Sequence, residues 1–491
     1  MALTYEGEQA VGVGVMSFGL VFSKSVLFIY YFGDFITFLP NKFGCFDILC
    51  YICSQIIFFM IQEFKVKNFF SIREVQTLSF VPNADTDKRD MYVREVAEVV
   101  GLLKIGIVYG SNASGKTTIL QAFAFFRDIM LDKPISKNSR IPFSPFLLDD
   151  YSGVEHSRMS MTFWISGERY VLETEFDKER IYTEKLNVYI SRRRPTLLYK
   201  REYDEEKDYS KVSFGQQAGI DKPTQMAIEG NTTNNCTVLA AFGQSNAVAS
   251  RLNNVFNFFL SGMNNMLSPR DTLTFSVKEE LRRDKDGKTK HFLLKMLQAS
   301  DFNIVDMVLD EREETITPEM EKAISKAPIP EEAKVEMLRR GTIKHDEIIF
   351  SHKGDNGNYT LYERMESAGT NRFLGLAVLL RHALKDNSLF LIDEIESSIH
   401  YELLSYYIKL FLANSEGTSQ LLLTTHDINL LNEDFIRRDV IWFADKDKCG
   451  ATALKRLSNL GLHKTLSPYN AYRQGKLVAL PFLGSIYIDE E

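Results

Sequence analysis

The strongest constraint in this sequence is an apolar run, Leu103-Lys-Ile-Gly-Ile-Val-Tyr109, that passes without a break into Gly110-Ser111-Asn112-Ala113-Ser114-Gly115-Lys116-Thr117. The run is rich in β-formers and predicts a buried strand. Behind the loop, Thr118-Ile-Leu-Gln-Ala-Phe-Ala-Phe-Phe-Arg127 has no Gly or Pro and predicts a helix. Strand, glycine-rich loop and helix in that order make an anion cradle. The glycines let backbone N–H groups turn inward, and the helix N-terminus adds partial positive charge. The spacing satisfies G-x-x-x-x-G-K-[ST]. Lys116 would reach the β- and γ-phosphates of a nucleotide, the Thr117 hydroxyl would hold Mg²⁺, and Gly110 to Thr118 would form the cradle. A chance glycine turn opening a helix is the bland alternative, and the flanking strand and helix argue against it.

A phosphate cradle alone only binds. Hydrolysis needs a carboxylate for the metal and a group that orients water. Ser388-Leu-Phe-Leu-Ile-Asp393-Glu394 offers both at the tip of a predicted buried strand, where open parallel sheets bind ligands. Asp393 would hold Mg²⁺ through water, and Glu394 would act as general base. Gln420-Leu-Leu-Leu-Thr-Thr425-His426 predicts a second buried strand, ending at a histidine placed to contact the γ-phosphate. Glu366-Ser367-Ala-Gly369-Thr370-Asn371-Arg372 precedes a predicted helix, Phe373–Lys385, and a Ser–Gly helix start is again an anion site. Each of the last three has a plain structural alternative: a solvated strand end, a turn cap and an ordinary N-cap.

In this order the four elements resemble the ABC-type ATPases. The loop wording is similar to the branch containing the SMC, Rad50, RecF and OLD proteins. A closer likeness is to the bacterial AAA-annotated ATPases of abortive-infection and restriction-linked operons, the RloA/AbiL type. It is carried by the opening strand Phe64-Lys-Val-Lys-Asn-Phe, the Glu366–Thr370 motif, the Asp393-Glu-Ile-Glu-x-Ser-x-His400 run and the tail Ser467–Lys476. It covers about Met60 to Glu491. The resemblance implies ATP and Mg²⁺ as cofactors, a homodimer or higher homo-oligomer formed through the ATP sites, and Ser367, Gly369 and Thr370 as a signature completing the partner's site. It also implies a sensor or regulator of a separate effector, a nuclease or toxin from the same operon, in bacterial antiphage defence. A nucleotide-gated scaffold and a RecF/Rad50-like DNA-binding ATPase are the alternatives. The signature departs from Leu-Ser-Gly-Gly, and no glutamine stands out for the loop that links nucleotide to the middle of the chain.

The expected architecture is α/β: a P-loop NTPase of ABC type, with a parallel-sheet core, an antiparallel β lobe and an inserted helical arm. Residues 60–243 would form the first half and lobe, including a hairpin about Ser166-Gly167-Glu168. Residues 244–340 read as the helical insertion, too irregular in heptad for a long coiled coil, and 341–491 as the second half. With 491 residues and a charge of −7, the chain is multi-domain and unlike a nucleic-acid coat, so DNA contact would need a local patch. Arg192–Arg194, Arg282–Lys290 and Arg339-Arg340 are such clusters, but their acidic neighbours favour a solvated face. Five cysteines without metal spacing suit a reducing cytoplasm.

Residues 1–59 stand apart. Only Glu6, Glu8, Lys24, Asp34, Lys42 and Asp47 are charged up to position 60. Val11–Tyr31 is long enough to cross a bilayer, and Cys45–Ile61 nearly so. A membrane hairpin, a buried extension and a natural start at Met60 are the three readings. The last is preferred, which makes membrane association unexpected.

Overall fold

Uninterrupted apolar strands must be buried on both faces, and that rule locates the centre of this fold. The computed structural model describes residues 11–15, 18–22, 26–31, 34–40, 57–190, 194–327, 331–463 and 466–477. It comprises two units, Met1–Ile57 and Phe58–Glu491. In the first, β1 (Val11–Val15), β2 (Phe18–Phe22), β3 (Val26–Tyr31) and β4 (Asp34–Pro40) pair antiparallel in sequence order. The Val11–Tyr31 run is therefore three strands and not one helix. Most of the Cys45–Ile61 run lies outside the described residues. No helix among the described residues is long and apolar enough to cross a membrane.

The second unit begins with β5 (Phe59–Lys67), so Met60 is a buried strand residue opposite Trp164. A bulge at this pairing explains why the buried positions run Ile61, Phe64, Val66 rather than in strict alternation. With β6 (Gln76–Ser79), β10 (Ser157–Ile165), β11 (Glu168–Phe176), β12 (Ile181–Tyr189), β13 (Thr196–Asp204) and β14 (Tyr209–Phe214), β5 forms a seven-stranded antiparallel lobe. The β10–β11 hairpin turns on Ser166 and Gly167, at φ +45° and +86°. β7 (Val93–Ala97) and β8 (Val100–Leu103) make a separate small hairpin.

The core sheet contains β9 (Ile105–Tyr109), β18 (Leu389–Ile392) and β19 (Gln420–Thr425), all three buried at every position. With β20 (Ile441–Lys446) and β21 (Thr452–Arg456) it runs in the order β18-β19-β9-β20-β21, parallel except at β21. Helix α1 (Lys116–Leu131) lies against β19 and meets the lobe, with Phe123 and Phe126 4.2 and 5.6 Å from the Phe64 ring. Gln420 ties the two sheets together. Its amide accepts from the Ile61 N–H at 2.6 Å and donates to the Ile61 and Leu103 carbonyls at 3.0 Å. Gln420→Leu would leave a buried donor and two buried acceptors unpaired, so we expect a loss of about 3 kcal/mol. A lowered urea midpoint would register it, and an unchanged midpoint would show that the link is dispensable.

The middle of the chain supplies helices α2 (Lys222–Asn231), α3 (Val238–Gly243), α4 (Ser250–Ser261), α5 (Thr274–Arg283) and α6 (Lys288–Ala299). The expected helical insertion is broken here. Ile304–Thr315 is a strand, β15, pairing with β16 (Thr342–Gly354), which pairs with β17 (Gly357–Tyr362). Long non-local pairing with β16 overrides the charge-rich texture that reads as helix. Strands β15, β16 and β17 therefore form a three-stranded sheet separate from the lobe. Helices α7 (Pro318–Lys326) and α8 (Glu331–Arg340) cap its hairpin. Arg282 is shared by Glu279, Glu311 and Asp346, and Arg339 and Arg340 pair with Glu336, so these clusters are largely self-neutralised. Arg192 and Arg193 lie outside the described residues.

Candidate functional site

Backbone conformation makes the Gly110–Thr117 loop before any side chain matters. Ala113 and Gly115 sit at φ +58° and +96°, and a Cβ on Gly115 would stand 2.1 Å from Thr452 Oγ1. A Cβ on Gly110 would meet the Ala444 carbonyl at 2.5 Å, so β20 closes the loop from behind. Thr452 Oγ1 donates to the Ser114 carbonyl at 3.0 Å and bonds Ser71 Oγ at 2.8 Å, while Ser71 Oγ donates to Thr118 Oγ1 at 3.1 Å. Neither Ser71 nor Thr452 has a sequence signal; only tertiary pairing brings them here.

Lys116 is 5% exposed, and its ammonium donates to the Gly110 and Ser111 carbonyls at 3.0 Å. Burial pulls its pKa below the ordinary lysine value, against the opposing charges of Glu394, Asp393 and Glu396. Thr117 Oγ1 donates to Asp393 at 2.9 and 3.2 Å across 276 positions of sequence. Asp393 is in turn fixed by Thr424 Oγ1 at 2.6 Å, and the Glu394 N–H donates to the same hydroxyl at 2.8 Å. Glu394 turns at φ +44°, which lets the chain leave β18 with the buried Ile395 anchored in the core. Its carboxylate stands 3.6 Å from His426 Nε2. Strand ends β9, β18 and β19 thus bring Lys116, Thr117, Asp393, Glu394 and His426 to one edge of one sheet. The Ser114 and Tyr109 hydroxyls are buried there without a hydrogen-bond partner among the described residues.

The structure also supplies what the missing glutamine left open. Residues 262–267 run parallel beside β18 through bridges at Met263–Leu389 and Leu267–Ile392, and the Leu267 carbonyl accepts the Asp393 N–H at 2.9 Å. This segment connects the middle helices to Asp393. Its short length and lack of β-formers hid it from the sequence.

The Ser367–Thr370 group lies elsewhere. Ser367 Oγ caps α9 (Ala368–Lys385), accepting the Thr370 N–H at 3.0 Å and bonding its hydroxyl at 2.9 Å. A Cβ on Gly369 would meet the Ser398 carbonyl at 2.7 Å, so this helix start abuts the loop that follows Asp393 and Glu394. The preceding Glu366 takes His352 of β16 at 2.5 Å, coupling the three-stranded sheet to the motif. No hydrogen bond among these described residues joins them to Gly110–Thr118.

Asp445 is paired with Lys455 at 2.9 Å, and Asp447 accepts the Cys449 and Ala451 N–H groups, so this D-x-D is a strand end and turn cap. Among the described residues no group of three or more His, Cys, Asp or Glu could hold a metal ion. In the tail, α10 (Pro468–Arg473) packs inward, with Tyr472 stacked on Phe443 at 5.7 Å; the tail from 478 on lies outside the described residues.

Residues 106–224 and 250–432 match the family described as "AAA domain, putative AbiEii toxin, Type IV TA system". No curated protein matches the sequence. Among solved structures the chain is similar to an SMC head domain from Thermotoga maritima, at 11% identity over 81% of this chain and 98% of that one, TM-score 0.36. It is also similar to an SMC head bound to the C-terminal winged-helix domain of ScpA, at 12% identity over 80% and 97%, TM-score 0.37. A third is an Smc head with an extended coiled coil bound to the C-terminal domain of ScpA from Pyrococcus furiosus, at 10% identity over 81% and 96%, TM-score 0.34.

Proposed function

The chain belongs to this family of AAA domains, and on that premise we propose that it is an ABC-type ATPase that binds and hydrolyses Mg-ATP, closes as a dimer around the nucleotide, and controls a separate effector in antiphage defence. The single observation that carries the ATPase reading is the Thr117–Asp393 contact at 2.9 Å. A hydroxyl and a carboxylate 276 positions apart meet beside a glycine loop, and such oxygens suit a hard divalent cation. Thr117 and Asp393 would hold Mg²⁺, which when bound neutralises phosphate charge. Gly110 to Thr118 would cradle the phosphates and Lys116 would counter their charge. Glu394 would orient water and accept its proton, with His426 held against it. Ser367, Gly369 and Thr370, which make no hydrogen bond to their own loop among the described residues, would serve the nucleotide of a second copy.

The defence role rests on the family's description and on the Glu366–Thr370 and Asp393–His400 motifs. Because Asp445 and Asp447 are engaged in structural pairs, we assign toxicity to a partner protein rather than to this chain. Purified protein should release phosphate from ATP only with Mg²⁺ and stop when EDTA is added. It should leave DNA and RNA intact with Mg²⁺ or Mn²⁺. Metal-dependent cleavage abolished by Asp445→Ala, or growth arrest caused by this chain alone, would sink the two-protein reading.

A further inference from the structure

The turn after β18 delivers a third carboxylate that the ATPase reading leaves without a task. Glu396 Oε1 accepts the His426 backbone N–H at 2.5 Å, while Glu394 Oε1 faces the His426 ring nitrogen at 3.6 Å. Two glutamates of one turn therefore address one histidine: Glu396 bonds its main-chain N–H, and Glu394 stands beside its imidazole. Between them the Ile395 N–H donates to the Thr424 carbonyl at 3.2 Å, and the Ser397 N–H closes the turn on the Glu394 carbonyl at 2.9 Å. This fixes the turn against β19, two residues before His426. Glu396 Oε2 is buried and has no hydrogen-bond partner among the described residues, where a carboxylate serving only as a surface turn cap would leave that oxygen in water. The same carboxylate's charge reaches Lys116.

We infer that Glu396 is a positioning residue for the reaction: it clamps the His426 main chain so that the imidazole stays against Glu394 when water is attacked. This rests on the ATPase reading and adds a residue to it. The required feature is an acceptor oxygen at the length of a glutamate side chain, not a negative charge. A glutamine retains that oxygen; an aspartate keeps the charge but falls one methylene short.

The test measures steady-state ATP hydrolysis and nucleotide affinity on the full chain. Glu396→Ala should lower kcat about tenfold, the scale of one lost hydrogen bond to a charged group, and leave nucleotide Kd within about twofold. Glu396→Gln should recover most of the rate, and Glu396→Asp should not. In a His426→Ala background, Glu396→Ala should cost almost nothing more, because the two act as one unit. Unchanged kcat in Glu396→Ala, a loss in affinity instead of rate, equal impairment by Gln and Asp, or independent losses in the double variant would each overturn the inference. If Glu396→Ala does not fold, the Gln and Asp pair still decides. Full activity in Lys116→Ala and Glu394→Gln would instead defeat the ATPase reading itself, so the two failures are distinguishable.

Discussion

Glu394→Gln is expected to keep ATP bound while cutting turnover by about a hundredfold or more, the usual contribution of a positioned general base. The amide is nearly isosteric and still accepts hydrogen bonds, so water can be held, but it cannot take the proton. The backbone reason for expecting a folded, binding-competent variant is that the turn at Glu394 is held by main-chain groups. Its N–H donates to Thr424 Oγ1 at 2.8 Å, and its carbonyl accepts from Ser397. Neither contact uses the carboxylate. With hydrolysis blocked, the nucleotide-bound dimer should accumulate, seen as a doubling of mass by light scattering that requires ATP. In a phage challenge the variant should also lose protection, since a regulator that cannot reset cannot cycle its effector. Wild-type phosphate release by Glu394→Gln would remove Glu394 from the chemistry and shift attention to Glu396 or His426.

Lys116→Ala should fail one step earlier, weakening ATP binding by roughly a hundredfold, the value of a charge-assisted bond lost from a desolvated site. The ammonium is held over the loop by two of its carbonyls, Gly110 and Ser111, where it can also reach phosphate oxygens. Burial disfavours its charge, while the Glu394, Asp393 and Glu396 carboxylates favour it. Deleting the lysine leaves those carboxylates facing the incoming triphosphate with no counter-charge, so the loss should exceed that of removing one neutral donor. Lys116→Arg should not rescue, because a planar guanidinium does not reproduce the compact point charge of an ammonium. Titration with a fluorescent ATP analogue measures both variants. Normal affinity in Lys116→Ala would mean that the glycine loop is not the phosphate site.

What the sequence determined by itself is everything encoded in contiguous residues. Strand, loop and helix at Leu103–Arg127 are written in one run of apolar periodicity and glycine, as are the strands ending at Asp393 and His426 and the Ser166-Gly167 hairpin turn. Local backbone preference and a two-sided apolar strand need no distant partner to be legible. The tertiary structure alone decided the rest, because pairing across tens to hundreds of positions leaves no local trace. Ile304–Thr315 becomes a strand only because β16 is there to accept it. Residues 262–267 join the core sheet through β18 rather than through any strand-like composition. Ser71 and Thr452 close over the glycine loop from 381 positions apart. Glu396 was visible as a letter in the Asp393–His400 run, but its bond to the His426 N–H exists only once β18 and β19 lie side by side. The chemical groups of the site were in the sequence; which of them touch was fixed by the order of strands in the sheet.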